Sequence, residues 1–139
     1  MTLSIRNQFP GTVVEIRSGE VMATVTVRLD GGQIITAAIT REAVEQLGLA
    51  PGSAVRALVK STEVAVATNR IKGLSIRNQL PGAITHIALG GAMASVRMAM
   101  AGGEITAVIT KDAATELGLF VGSDAVALIK STEVALATD

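Results

Sequence analysis

The stretch VMATVTVRLDGGQIITAAI, residues 21–39, decides the fold of this chain. From Val21 to Leu29 small apolar residues alternate with Met, Thr and Arg, and a period of two with many β-branched residues predicts a strand with one buried face. The Asp-Gly-Gly sequence at 30–32 then supplies a hairpin turn. Residues 33–39 are expected to return as a second strand, so the stretch predicts an antiparallel ribbon.

The flanking segments extend this ribbon to five strands and one helix. Thr40 can cap a short helix that Gly48 ends. The remaining predicted elements are strands at Thr12 to Arg17, Ala54 to Lys60 and Val64 to Ala67, and a helix at Arg41 to Leu47. Three strands, a helix and two strands in about 70 residues are typical of a five-stranded Greek-key barrel of the OB type, and an SH3-like barrel with an extra helix remains an alternative.

The chain contains this pattern twice. Leu3 to Asn69 aligns with Leu74 to Asp139 when one residue, placed at Ile35, is skipped, and more than half of the paired positions are identical. We therefore predict an all-β protein with one short helix per repeat, built as tandem OB-type barrels: domain 1 at 1–69, a linker at 70–73 and domain 2 at 74–139. Because four extended residues reach only about 14 Å, the domains must be neighbours.

Composition excludes most function classes. Hydrophobic residues make up 49% of the chain, and this apolar surplus predicts burial between domains or subunits. Twelve basic residues balance twelve acidic ones and only two residues are aromatic, which disfavours nucleic-acid binding and attraction to a membrane surface. The absence of Cys excludes thiolate metal sites, and His86, the single His, cannot form a His-based metal cluster. Glu63 and Glu133, one carboxylate per repeat without a neighbouring His, Cys or second acid, lack a catalytic mechanism. We expect a protein that is not an enzyme.

The longest runs shared by the two repeats are rich in hydrogen-bond donors. They are SIRNQ at 4–8 and 75–79, KSTEVA at 60–65 and 130–135, and Ile-Thr at 39–40 and 109–110. Hydroxyl, guanidinium, amide and ammonium groups together form the parts of an anion cradle. Each residue alone is more often structural, a helix cap or a solvated charge, but the recurrence of the whole set favours an anion site.

These motifs resemble those of the Mop domains, the molbindin modules that bind molybdate and tungstate. SIRNQFPGTV and SIRNQLPGAI are similar to the family's opening motif, and the AIT or VIT, LGL and KSTEV segments follow in family order over essentially the whole chain, twice. A tandem pair of such modules resembles the dimop proteins that store molybdate. The resemblance implies a cytoplasmic protein that binds molybdate or tungstate, assembles as a homotrimer and holds the anion by hydrogen bonds between domains.

The resemblance also implies the residues of the site. In each repeat the opening Ser and Arg, the Thr after the third strand, and the Lys with the residue that follows it match the family's ligands, and the Asn of the opening motif is an additional candidate. The set is Ser4, Arg6, Asn7, Thr40, Lys60 and Ser61 in the first repeat, and Ser75, Arg77, Asn78, Thr110, Lys130 and Ser131 in the second.

Two functions thus compete. The first is reversible storage of molybdate or tungstate for molybdenum homeostasis, with no nucleic-acid partner. The second is a molybdate-sensing or delivery module that acts through a separate protein partner. A third and weaker hypothesis is an OB-type protein that binds oligonucleotides, and salt-dependent binding to single-stranded nucleic acid would support it.

Overall fold

A computed structural model describes residues 2–138 and confirms the predicted fold class: strands dominate, and each repeat carries one short helix. The first repeat consists of β1 (Asn7–Ser18), β2 (Met22–Leu29), β3 (Ile34–Thr40), α1 (Arg41–Gln46), β4 (Ala54–Val59), a 3-10 turn (Ser61–Glu63) and β5 (Ala65–Ala67). The second consists of β6 (Asn78–Leu89), β7 (Met93–Met100), β8 (Gly103–Thr110), α2 (Lys111–Glu116), β9 (Asp124–Ile129), a 3-10 turn (Ser131–Glu133) and β10 (Ala135–Ala137).

The strands form two curled five-stranded sheets, and the repeats exchange their last strands. The sheet orders are β10-β4-β1-β2-β3 and β5-β9-β6-β7-β8. Leu136 of β10 pairs with Ala57 of the first repeat, and Val66 of β5 pairs with Ala127 of the second. The order of the predicted strands places each fifth strand in the barrel of its own repeat, and the structure contradicts this expectation. Local sequence does not distinguish the two arrangements, because both repeats carry the same KSTEVA run into the exchanged strand.

Strand β1 is longer than predicted and begins five residues before Thr12. Pro10 and Gly11 interrupt the β pattern in the sequence, yet both lie in the strand and pair with β4. Gly11 is required there because a Cβ atom would lie 2.6 Å from the carbonyl oxygen of Arg28 on β2. A register shift between Val13 and Glu15 then bends the strand.

One hydrophobic core spans both repeats. It joins Phe9 and Val25 of the first repeat to Leu80 and Val96 of the second. The apolar surplus is therefore partly buried between the two halves of one chain.

The extra residue of the first repeat lies before Ile35, not at Ile35 as the sequence alignment places it. Val27 pairs with Ile35 in the first repeat, and the equivalent pair in the second repeat is Met98 with Ile105.

Candidate functional site

The donor-rich runs of each repeat meet at one end of its sheet. Strands β1 and β4 are antiparallel, with Asn7 opposite Val59. Arg6, just before the first of these residues, and Lys60, just after the second, therefore leave the sheet side by side. The second repeat has the same register, with Asn78 opposite Ile129, so Arg77 and Lys130 leave its sheet together.

The third predicted donor, the threonine, opens the helix in each repeat. The Thr40 hydroxyl oxygen accepts a hydrogen bond of 3.1 Å from the backbone N–H of Ala43, and Thr110 does the same for Ala113. The predicted capping role is thus confirmed. The hydroxyl proton is not used by the cap and remains free to donate.

The two repeats contribute to a common region through their 3-10 turns. The turn that begins at Ser61 packs against β8, which ends at Thr110, and the turn that begins at Ser131 packs against β3, which ends at Thr40. The lysine-serine pair of one repeat thus approaches the strand that carries the threonine of the other. The family motif groups each threonine with its own repeat, because no local signal in the sequence indicates a contact between repeats.

A cavity of about 260 Å³ lies where residues 62–65 meet Val108 and Ile109 of β8, and the candidate donor among its lining residues is Lys130. Lys130 and Ile109 line it from the second repeat, and the segment 62–65 lines it from the first. Glu63 and Glu133 also line this cavity. The ion pairs found among residues 2–138 do not include either carboxylate, and each glutamate closes its 3-10 turn through its backbone N–H.

The candidate donors are open to solvent in the single chain. Ser61 and Ser131 are half-buried, and the other serine, arginine, threonine and lysine candidates of both repeats are exposed. This exposure is the same in the two repeats. The candidate sites therefore form a symmetric pair on the surface of the chain.

Asn7 and Asn78 are engaged differently from the other candidates. They are the buried polar side chains among the described residues, at 3% and 4% exposure. The Asn7 amide donates to the carbonyl oxygen of Thr106 at 2.8 Å and accepts from its N–H at 2.9 Å. Asn78 makes the matching pair of bonds to Thr36. Each asparagine thus forms a clamp that joins the opening motif of one repeat to the third strand of the other, and no local signal in the sequence predicts this contact.

Arg77 shares a cavity with two cations of the linker, Arg70 and Lys72. A cavity of about 340 Å³ is lined by Arg77, by Gln79 and by residues 70–73 of the linker. Arg70 and Lys72 are therefore functional candidates that the comparison of repeats missed. Their counterparts do not exist in the first repeat, so a search for duplicated residues could not find them.

Residues 2–138 contain no group of three or more His, Cys, Asp or Glu arranged to hold a metal ion. Within the same range, no helix has the length and apolar character that crossing a bilayer requires. His86 is exposed on β6 opposite Arg97.

Comparison with known proteins points to one family. The model of the TOBE domain matches the chain twice, over residues 3–66 and 74–136. A crystal structure of the cytoplasmic molybdate-binding protein ModG, in a PEG-grown form with molybdate bound, superposes with a TM-score of 0.96 at 42% identity and covers 100% of both chains.

Two curated relatives are similar over nearly the whole chain. The molybdenum transport protein ModE of Azotobacter vinelandii is 42% identical over 138 residues, which are 99% of this chain and 51% of ModE. The molybdenum-pterin-binding protein MopB of Rhodobacter capsulatus is 40% identical over 136 residues, which are 96% of this chain and 50% of MopB. The chain thus spans about half the length of these relatives.

Proposed function

Since the chain belongs to the TOBE-domain family, we propose that it binds molybdate or tungstate reversibly and serves as a cytoplasmic, non-enzymatic store of these oxyanions. The observation that carries the proposal is the match over the full length of both chains to ModG, a protein described as cytoplasmic and solved with molybdate bound. The domain division at 1–69, 70–73 and 74–139 is part of the proposal. The two TOBE matches support it as a division of the sequence, and the last strand of each domain pairs in the sheet of the other.

Each proposed site combines donors from both repeats. One contains Ser4, Arg6, Lys60 and Ser61, and its threonine is Thr110 of the other repeat; the second contains Ser75, Arg77, Lys130, Ser131 and Thr40. The β1–β4 register, which sets Arg6 beside Lys60, supports this grouping, as does the packing of the Ser61 turn on β8. Asn7 and Asn78, whose amides bind backbone groups across the repeats, act by positioning these segments.

The chemistry of the donor set fits a tetrahedral dianion. Molybdate offers four acceptor oxygens and two negative charges at neutral pH, and each site supplies one guanidinium, one ammonium and three hydroxyl groups. Charge-assisted hydrogen bonds of this kind give affinity without a covalent bond to the metal. Binding is therefore reversible, as a store requires.

We further propose that the chain assembles as a homotrimer without a nucleic-acid partner. Large apolar side chains remain exposed in both repeats: Val21 and Met22 in the first, Leu89 and Met93 in the second. Burial of these side chains against another copy is favourable. Light scattering on the purified protein tests the assembly, and a mass of three chains is expected.

Calorimetry tests the function. Wild-type protein is titrated with molybdate, tungstate, sulfate and phosphate, and saturable binding of the first two is expected. The variant Lys60→Ala/Lys130→Ala loses bound molybdate without losing its assembly, whereas Arg17→Ala, which removes an exposed cation paired with Glu15, keeps the wild-type stoichiometry. Unchanged stoichiometry in the double lysine variant contradicts the ligand assignment.

A second function follows from the relatives named ModE, which this chain matches over half their length. In that case the chain senses or delivers molybdate through a separate protein partner. Pull-downs with and without molybdate distinguish the two functions. A partner retained only in one of the two conditions favours sensing or delivery.

A further inference from the structure

Three cations converge on the linker between the repeats. Arg70, Lys72 and Arg77 all line the cavity of about 340 Å³, and its other lining residues are Ile71, Gly73 and Gln79. No carboxylate from the described range lines this cavity. In a chain whose net charge is zero, this is a local concentration of positive charge.

The linker is a fixed wall of this cavity. The Gln79 side chain accepts from the Ile71 N–H at 2.9 Å, donates to the Ile71 carbonyl at 2.9 Å, and donates to the Ile76 carbonyl at 3.0 Å. Gly73, with φ of +73°, supplies the turn that folds the linker back. In the first repeat, the side chain of Gln8 donates to the Ile5 carbonyl at 2.9 Å, the bond that corresponds to the last of these.

Arg70 is held in place and keeps N–H donors that a ligand can use. Arg70 Nη2 donates to the Gln79 carbonyl at 3.2 Å, which orients the guanidinium and leaves its other N–H groups available. The ion pairs of the described chain join Arg17 to Glu15 and Arg41 to Glu45, and neither involves the three cations of the linker cavity. Within residues 2–138, a ligand therefore meets three cations that form no ion pair with a carboxylate.

The size and charge of the cavity indicate the class of ligand. A volume of about 340 Å³ corresponds to roughly ten water molecules at about 30 Å³ each. One tetrahedral oxyanion, with four oxygen atoms, would occupy only part of this volume. Three cations match an anion of charge −3 or more. We propose that the linker cavity binds a pyrophosphate group, two linked phosphoryl units, either as the free inorganic anion or as part of a nucleoside diphosphate.

This site overlaps one of the two proposed oxyanion sites at a single residue, Arg77. Arg70 and Lys72 lie in the linker, which has no counterpart in the first repeat, so the cavity occurs once per chain. Arg77 is common to this cavity and to one proposed oxyanion site. Because the other two cations are not, their substitution separates the two proposals.

The test is calorimetric titration of the full chain with inorganic pyrophosphate, ADP and orthophosphate. We expect one pyrophosphate per chain, at least tenfold tighter than orthophosphate, with affinity that falls as salt is added. The variant Arg70→Ala/Lys72→Ala is expected to weaken pyrophosphate binding at least tenfold while its molybdate stoichiometry stays at the wild-type value.

The control removes the same number of charges elsewhere. Arg17→Ala/Arg41→Ala eliminates two exposed cations that are already paired with glutamates, and it is expected to change pyrophosphate affinity less than twofold. Binding of ADP as well as pyrophosphate identifies the nucleotide as a source of the group, and binding of pyrophosphate alone identifies the free anion. Absence of pyrophosphate binding, equal affinity for orthophosphate, or equal loss in the control variant overturns the proposal, whatever the result with molybdate.

Discussion

The Asn7 clamp gives the sharpest prediction about how the two repeats hold together. Asn7→Ala removes two hydrogen bonds, of 2.8 and 2.9 Å, and leaves the N–H and the carbonyl of Thr106 without these partners. Each bond contributes about 0.5–1.5 kcal/mol, and an unsatisfied buried group costs about 1–3 kcal/mol. We expect the free energy of unfolding to fall by about 2–4 kcal/mol.

Chemical and thermal unfolding at one fixed protein concentration measure this loss. For a chain of this size, 1 kcal/mol corresponds to about 3–4 °C, so Tm is expected to fall by about 6–16 °C. Asn78→Ala should cost a similar amount, and because the two clamps share no residue, the double variant should lose nearly the sum.

Asn69→Ala is the matched control. It makes the same chemical change at an exposed position, and such surface substitutions usually stay within about 0.5 kcal/mol. If Asn7→Ala lies within 0.5 kcal/mol of Asn69→Ala, the clamp contributes little and the reasoning fails.

Three further predictions concern the strands and the helix caps. Leu136→Pro breaks the pairing of β10 with β4, so hydrogen exchange should accelerate at residues 54–59 of the first repeat. Val66→Pro breaks the pairing of β5 with β9 and should accelerate exchange at residues 124–129 of the second. Acceleration within the mutated strand's own repeat would contradict the strand exchange. Gly11→Ala forces a Cβ to within 2.6 Å of the Arg28 carbonyl oxygen and should lower the free energy of unfolding by about 1–3 kcal/mol. The control Gly91→Ala, with no heavy atom within 4 Å of the added Cβ, should change it by less than about 0.5 kcal/mol. Equal losses of the two variants in chemical denaturation would refute the steric argument. Thr110→Val removes the cap bond to Ala113 and should lower the free energy of unfolding by about 1 kcal/mol and weaken molybdate binding. Thr110→Ser keeps a capping hydroxyl and should preserve both stability and molybdate affinity. Equal molybdate affinity of the two variants in calorimetry would show that the hydroxyl is not a ligand.

Most of the fold was predictable because its signals are local. The alternation at residues 21–29, the Asp-Gly-Gly turn and the Thr40 cap each act within a few residues, and all three appear in the structure. The start of β1 was missed because a Pro-Gly pair normally ends a strand, whereas here it lies within one.

Features that depend on contacts between the repeats were not predictable. The exchanged strands are preceded by identical KSTEVA runs, so sequence alone does not say which sheet each one joins. The Asn7 and Asn78 side chains were assigned to the anion because their backbone partners, Thr106 and Thr36, are distant in sequence. For the same reason, the packing of the Ser61 turn on β8, on which the proposed grouping of Lys60 with Thr110 rests, has no local signal in the sequence.

The central claim is that molybdate binds where the lysine-serine pair of one repeat meets the threonine of the other. Anomalous scattering from molybdenum, measured on crystals grown with molybdate, locates the anion without reference to any assumed ligand. We predict two strong peaks per chain, one beside Lys60 and Thr110 and one beside Lys130 and Thr40. Peaks located elsewhere, or no peak at either junction, would contradict the proposed site.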